Sequence, residues 1–173
     1  MSGVTLQTTI ADSAARAYFT ALATVMDDTT PVMRAIGVGL VEGTHTRFEH
    51  AVSPDGQPWA PLLPAYAAIK KGPGILRESA MRGGLMGSIT FRAGRAEVEV
   101  GTNKIYAAVH QFGATIEPKN WPWLVFRLAS GMVFVGSVTI PARPYIGISR
   151  DDEQMILETI IDALDRRTGS RPL

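Results

Sequence analysis

The stretch Tyr106–Gly113, YAAVHQFG, marks where the chain passes from strands to helix and back. It predicts a short helix over about Lys104–Phe112, which Gly113 stops, because glycine adopts the conformations that close a helix without steric cost. What flanks it is not helical. Upstream, Leu85, Gly87, Ile89 and Phe91 alternate with Met86, Ser88 and Thr90, and in Ala96–Val100 alanine and valine alternate with Glu97 and Glu99. Period-two alternation marks strands with one face on a core, so these two segments are read as a pair turning near Gly94–Arg95. Downstream, Trp123–Leu128 and Met132–Ile140 flank Ala129-Ser130-Gly131, a second hairpin signal.

Helices are expected at both ends. A first one over about residues 12–26 places Ala15, Tyr18, Phe19, Leu22, Val25 and Met26 on one face, with Asp12 or Ser13 as cap. In a second, Thr30 serves as N-cap and Pro31 as first helical residue, and Met33, Ile36 and Leu40 form an apolar stripe that Phe48 extends. Gly39 and Gly43 share a face of that helix, which points to close packing on a neighbouring element; a subunit contact or hinge is the alternative. The Pro- and Gly-rich stretch Ser53–Gly74 leaves room for a short helix over Pro64–Lys71. The last helix, about residues 150–167, is capped by Ser149, with Asp151, Asp152 and Glu153 at its positive end and Arg166 and Arg167 at its negative end. Leu157, Ile160, Ile161 and Leu164 are its expected buried stripe. The sum is α+β: an antiparallel β-sheet packed against long helices, one domain spanning residues 1–173.

Composition narrows the function classes. With 17 basic and 16 acidic residues the net charge is +1, too balanced for an overall nucleic-acid or membrane footprint. Cysteine is absent, which removes disulfides, thiolate metal sites and cysteine nucleophiles together. The N-terminus has no basic region followed by an apolar core, and no apolar run approaches the roughly 20 residues that span a bilayer. A soluble intracellular protein is expected.

Little in the sequence points to catalysis. His45 and His50 diverge by about 140° on a helix, so they cannot share a metal as an i, i+4 pair does. His110 lies between Val109 and Gln111 and reads as a hydrogen-bonded packing residue rather than a base. The carboxylates at Asp27–Asp28, Glu97/Glu99 and Asp151–Glu153 have structural explanations as a loop, a solvated strand face and a helix start. Lys70, Lys71 and Arg77 beside Tyr66 could touch phosphate, but three charges are a weak signal and a solvated loop is the leading reading. No catalytic, cofactor or metal residue is assigned.

Four stretches, taken in order, resemble the phage virion morphogenesis family, which includes Mu-type protein G and the tail completion protein S of other contractile-tailed phages. The first is Arg47-Phe48 followed by Ser53-Pro54-Asp55-Gly56-Gln57-Pro58-Trp59-Ala60-Pro61-Leu62. The second joins Lys70-Lys71, Ile75-Leu76, Gly84-Leu85 and Ser88-Ile89, with Ala80-Met81-Arg82-Gly83 departing from the family's spacing. The third is Val100-Gly101-Thr102-Asn103 leading into YAAVHQFG. The fourth is Ile140-Pro141-Ala142-Arg143-Pro144-Tyr145-Ile146-Gly147-Ile148-Ser149. Together they cover about Pro31 to Leu164, and Pro118–Thr139 is similar to an extended form of the loop before the Arg-Pro element.

The motif residues are Trp59, Tyr106, His110, Gln111, Phe112, Gly113, Arg143 and Pro144. Trp59 and Pro61 are read as anchors over the core, Trp59 with its indole N–H bonded. Arg143 is held extended by Pro144, which frees its guanidinium for a fork of hydrogen bonds. Organising the fold is the leading reading of this constellation, and a subunit interface is the other. The resemblance implies a non-enzymatic structural role late in virion assembly, finishing the tail or neck so that head and tail join. It implies a homo-oligomeric ring, six-fold by expectation, that meets neck, tail tube or connector proteins and touches DNA only passively. Such a protein assembles in the host bacterial cytoplasm and ends in the virion. Trp121, Trp123, Phe126, Met132 and Phe134 are the candidate interface, since an exposed apolar hairpin is costly on a permanent monomer. A head-side factor or tail terminator is the alternative; a small nucleic-acid-binding or hydrolytic protein using Lys70, Lys71 or His110 is a remote one.

Overall fold

The computed structural model describes residues 20, 23, 27–78 and 84–168. Most of the helix expected over about residues 12–26, and the unusual Ala80–Gly83 spacing, therefore lie outside the described residues.

Helix α1, Thr30–His50, is the spine. Pro31 fits its first turn, where no N–H is required. The cap differs from expectation: Thr29 occupies the N-cap position without a side-chain bond, and Asp28 Oδ1 accepts the Thr30 N–H at 3.0 Å. The helix ends where Ala51 turns left-handed, at φ 54°, and bonds back to the Arg47 carbonyl. Ile36, Leu40 and Phe48 are buried along it, with Thr44 and Arg47 between them.

Two neighbours press on opposite faces of α1. Gly37 leaves space for the ring of Phe91, while Gly39 and Gly43 leave space for Met155 and Asp152. Residues two apart on a helix point about 200° away from each other, so α1 is sandwiched. On one side lies the ribbon of β1 (Thr90–Ala93) and β2 (Val98–Gly101). On the other runs α4, Arg150–Thr168. It is antiparallel to α1: Asp152 meets Arg47 at one end, and Thr159, Ala163 and Arg166 face Pro31, Val32 and Ala35 across a small cleft at the other.

The α+β class holds, but the strands do not form one sheet. Among the described residues they make three separate antiparallel ribbons: β1–β2, β3 (Ala114–Ile116) with β6 (Val138–Ile140), and β4 (Leu124–Leu128) with β5 (Gly131–Val135). Nor are all the helices long, since α2 (Pro64–Ala67) and α3 (Ala107–Phe112) have only four and six residues. Two strand readings fail for identifiable reasons. Leu85 and Ile89 both enter the core, and Met86–Ser88 form a 3₁₀ turn between them, tied by Ser88 Oγ to the Leu85 carbonyl at 2.7 Å. A turn aims residues four apart in one direction as readily as a strand does, so only Thr90 and Phe91 of that run lie in a ladder, which continues to Ala93. The second hairpin ends at Val135, because Val138–Ile140 leave it to pair with Ala114–Ile116.

Among the described residues the central core cluster is Phe48, Trp59, Leu85, Ile89 and Tyr145. Phe48 packs edge-on against Trp59, ring centres 5.5 Å apart, and against Tyr145 at 5.1 Å, within the favoured aromatic range. Pro61, expected beside Trp59 as an anchor, is exposed. Helix α4 buries a different face from the one expected. Its stripe of Leu157, Ile160 and Ile161 faces outward, 61%, 37% and 54% exposed, with Leu164 half-buried. The face against α1 instead carries Asp152, Met155, Thr159 and Ala163. Recessed glycines on α1 accept these residues, and the bulkier apolar stripe is left to solvent.

Candidate functional site

Between β6 and α4 the chain runs through Ala142–Ser149 without regular secondary structure. Its backbone polar groups need partners, and side chains from three distant places supply them. From the loop after α1, Trp59 Nε1 donates to the Pro144 carbonyl at 2.8 Å. From α3, Gln111 uses both ends of its amide: Nε2 donates to the Ile146 carbonyl at 2.8 Å, and Oε1 accepts from the Tyr145 and Ile146 N–H groups at 3.0 and 3.1 Å. From α1, Arg47 Nε donates to the Tyr145 carbonyl at 2.9 Å and Nη2 to the Gly147 carbonyl at 3.1 Å. In return Arg143 reaches back, Nε to the Ala60 carbonyl at 2.8 Å and Nη2 to Pro61 at 3.0 Å, while its own N–H bonds the His110 carbonyl at 2.7 Å.

Beneath this junction sits a buried ion pair, Arg47 Nη1 to Asp152 Oδ2 at 2.7 Å, both side chains almost wholly out of water. Desolvation alone makes such a pair costly unless its remaining groups are satisfied. They are: Arg47 Nη2 also bonds Thr44 Oγ1, and Asp152 Oδ2 also accepts from the Ser149 N–H and hydroxyl. Burial pushes the Asp152 carboxyl up, but Ser149 and Arg47 outweigh it and hold the group below its ordinary value. Ser149 Oγ accepts the Asp152 N–H at 3.2 Å, so Ser149 and Asp152 form a reciprocal cap at the start of α4. The Arg47–Asp152 pair did not emerge from sequence reasoning; the Ser149-x-x-Asp152 spacing was the available signal.

The structure places the YAAVHQFG residues at different tasks. Gly113 has φ 73°, and a Cβ there would stand 2.8 Å from the Ala142 nitrogen, so only glycine lets α3 lie this close to the Arg-Pro segment. Tyr106 packs against the core cluster that holds Tyr145, and its hydroxyl donates to Glu78 Oε1 at 3.1 Å. Its ring meets His110 edge-on at 5.9 Å. His110 is half-buried, its Nδ1 enclosed with no hydrogen-bond partner. Burial and the nearby Arg143 cation lower its pKa, against a smaller opposing pull from Glu78, so it favours the neutral form. Phe112 faces solvent, 77% exposed.

Lys70 and His45 are engaged with the backbone. Lys70 Nζ donates to the Lys71, Gly72 and Arg77 carbonyls, which fastens the loop after α2. His45 Nε2 contacts the Met86 carbonyl at 3.0 Å. Among the described residues no group of three or more His, Asp or Glu could hold a metal, and no helix is long and apolar enough to cross a membrane.

The hairpin is open. In β4–β5, Val125 pairs with Phe134 and Arg127 with Met132, and all four face solvent on one side. Trp121 and Trp123 lead into that side, 78% and 53% exposed. Phe126 is on the other face and is half-buried, so the five candidate interface residues do not form one surface.

A polar junction that holds its own backbone stands beside apolar surfaces turned to water. Comparison with known proteins gives this arrangement a family. A model of the phage virion morphogenesis family matches residues 10–165, and the chain belongs to that family. It is similar to the putative capsid assembly protein G of Escherichia phage Mu, 32% identical over 132 residues, which is 75% of each chain. It is also similar to the Mu-like prophage FluMu G protein 2 of Haemophilus influenzae, 40% identical over 78 residues, 45% of each chain. No solved structure matches. The protein has a role in phage or prophage virion assembly.

Proposed function

We propose that this chain is a structural subunit of tail completion or head–tail joining, assembled as a ring in the virion neck, with six copies as the expected number. The observation that carries this reading is the open β4–β5 hairpin, whose Trp121, Trp123, Met132 and Phe134 meet solvent in the single chain. Contiguous exposed apolar surface of this kind marks an interaction site. One chain type that repeats a single contact around an axis closes into a ring. Its neighbours would be other neck, tail tube or connector proteins, with DNA passing through the channel without specific contact, and assembly would take place in the host cytoplasm. The motif residues Trp59, Gln111, Gly113, Arg143 and Pro144 would serve this role indirectly, by fixing the junction from which the hairpin and α4 project. The tight use of their polar groups supports a part without catalysis.

A head-side assembly step, or tail termination, is the second reading; the name of the Mu relative, a putative capsid assembly protein, favours the head side. Electron microscopy of lysates from a phage with this gene disrupted separates them. Filled heads beside complete but unattached tails support tail completion or joining. Absent or aberrant heads would move the role to the capsid, tails of irregular length would move it to termination, and normal infectious particles would refute every version.

A further inference from the structure

Two apolar surfaces of this chain are open at once, and they differ in shape and charge. One is the flat face of β4–β5 bearing Val125, Met132 and Phe134, with Trp123 at its edge and Arg127 among them. The segment from Pro118 to Ile140 carries Lys119 and Arg127 and no acidic residue. The other is the outward stripe of α4, Leu157, Ile160 and Ile161. Beside that stripe the exposed Glu158 and Asp162 lie four residues apart on the adjoining helix face. Leu157 to Leu164 covers about 10 Å at the helical rise, and Trp123 to Arg127 about 13 Å at the strand rise, so the footprints match in length.

Resting on the ring reading above, we infer that the β4–β5 face of one copy docks on the outward α4 stripe of the next copy. Phe134, Met132 and Val125 cover Leu157, Ile160 and Ile161, and Arg127 lies against Glu158 and Asp162. The two surfaces are different, so the contact is heterologous: every copy offers both, and a chain of such contacts ends only when it closes. An isologous dimer made by two hairpins would instead set Arg127 near its own counterpart and leave the α4 stripe uncovered. The helix turns its bulkier apolar face outward because that face belongs to the assembly.

The absence of cysteine makes the test direct. Phe134→Cys and Ile161→Cys are made as separate variants, mixed, and oxidised at a concentration where light scattering shows an oligomer. The mixture is expected to yield disulfide-linked dimers about tenfold above either variant alone, and a chain carrying both substitutions to yield a ladder of linked copies. In a second arm, Arg127→Glu is expected to weaken association about tenfold at low salt, and Glu158→Lys with Asp162→Lys to restore it. Efficient linkage of Phe134→Cys to itself, closure within one chain, or an oligomer without any cross-link would overturn this docking while the ring stands. A chain monomeric at every concentration and with its neck partners present would overturn the ring itself.

Discussion

At Gly113 the backbone is left-handed and the space a Cβ needs is occupied by the Ala142 nitrogen, so Gly113→Ala combines conformational strain with a backbone clash. The expected loss is about 3 kcal/mol, read as a fall in melting temperature of roughly 6–12 °C; an unchanged melting curve would show that α3 and the Arg-Pro segment can part freely. At the buried pair, Asp152→Asn keeps the shape and removes the charge, leaving Arg47 uncompensated in the interior. The expected cost is about 3–5 kcal/mol by urea denaturation, far above that of any exposed pair. The pH dependence follows from His110. Its pKa is lowered from 6.5 in the folded chain, so the unfolded state binds more protons as pH falls through that window. The contribution is complete above about pH 6.5 and is lost as pH drops through the lowered folded value. The urea midpoint should therefore fall between about pH 7 and pH 5, and His110→Gln should flatten that limb; a variant with the same slope would remove His110 from the account. Gly113 was legible in the sequence because a glycine after a helical run has few other uses. Arg47 was not: a lone arginine on a helix reads as solvated, and Asp152 reads as one of three acids at a helix start. Only folding brings them within 2.7 Å.

Among the elements, α4 shows how far periodicity reaches. Its existence, its ends and its Ser149 cap follow from local chemistry, since caps and dipoles act within a turn or two. Which face it buries does not follow, because that depends on what stands opposite. Gly39 and Gly43 recess α1 enough to take Met155 and Asp152, and this docking turns Leu157, Ile160 and Ile161 outward. Substitution distinguishes the two faces. In dilute protein, Leu157→Gln with Ile161→Gln should change stability by no more than about 0.5 kcal/mol, as exposed sites do, whereas Ile36→Ala should cost about 2–5 kcal/mol. A large loss from the outward pair would mean that the stripe is buried within the single chain. The ribbons carry the same lesson at shorter range. Alternation locates β1–β2 and places the turn near Gly94, whose N–H bonds the Glu97 carbonyl at 2.9 Å, and the Ala129-Ser130-Gly131 turn locates β4–β5. Neither signal could show that Ala114–Ile116 would find Val138–Ile140 across an intervening hairpin, because that pairing is set by closure of the chain and leaves no local pattern.

For the whole molecule, that closure defines a detachable part. Ile116 pairs with Val138, so the ends of the segment carrying β4–β5 are already held together at the base of β3–β6. A backbone bond from the hairpin to the rest of the chain runs from Ala129 N–H to the Ala65 carbonyl, a long 3.4 Å, and none of the described hairpin residues belongs to the core cluster. Replacing residues 118–136 with a two-residue Asn-Gly turn would join β3 to β6 in the manner of a tight hairpin. The shortened chain should fold, because the core of Phe48, Trp59, Leu85, Ile89 and Tyr145 and the junction around Arg143 are untouched. Its melting temperature should stay within about 4 °C of the parent, a change of roughly 1 kcal/mol for a chain of this size. Association should disappear by light scattering, and complementation of a disrupted gene should fail even though folded protein accumulates. If the shortened chain unfolds, the hairpin supports the fold and its exposure says nothing about assembly. If it folds and still complements, the apolar face of β4–β5 is dispensable and the contact that builds the particle lies elsewhere, with the uncovered stripe of α4 the first place to look.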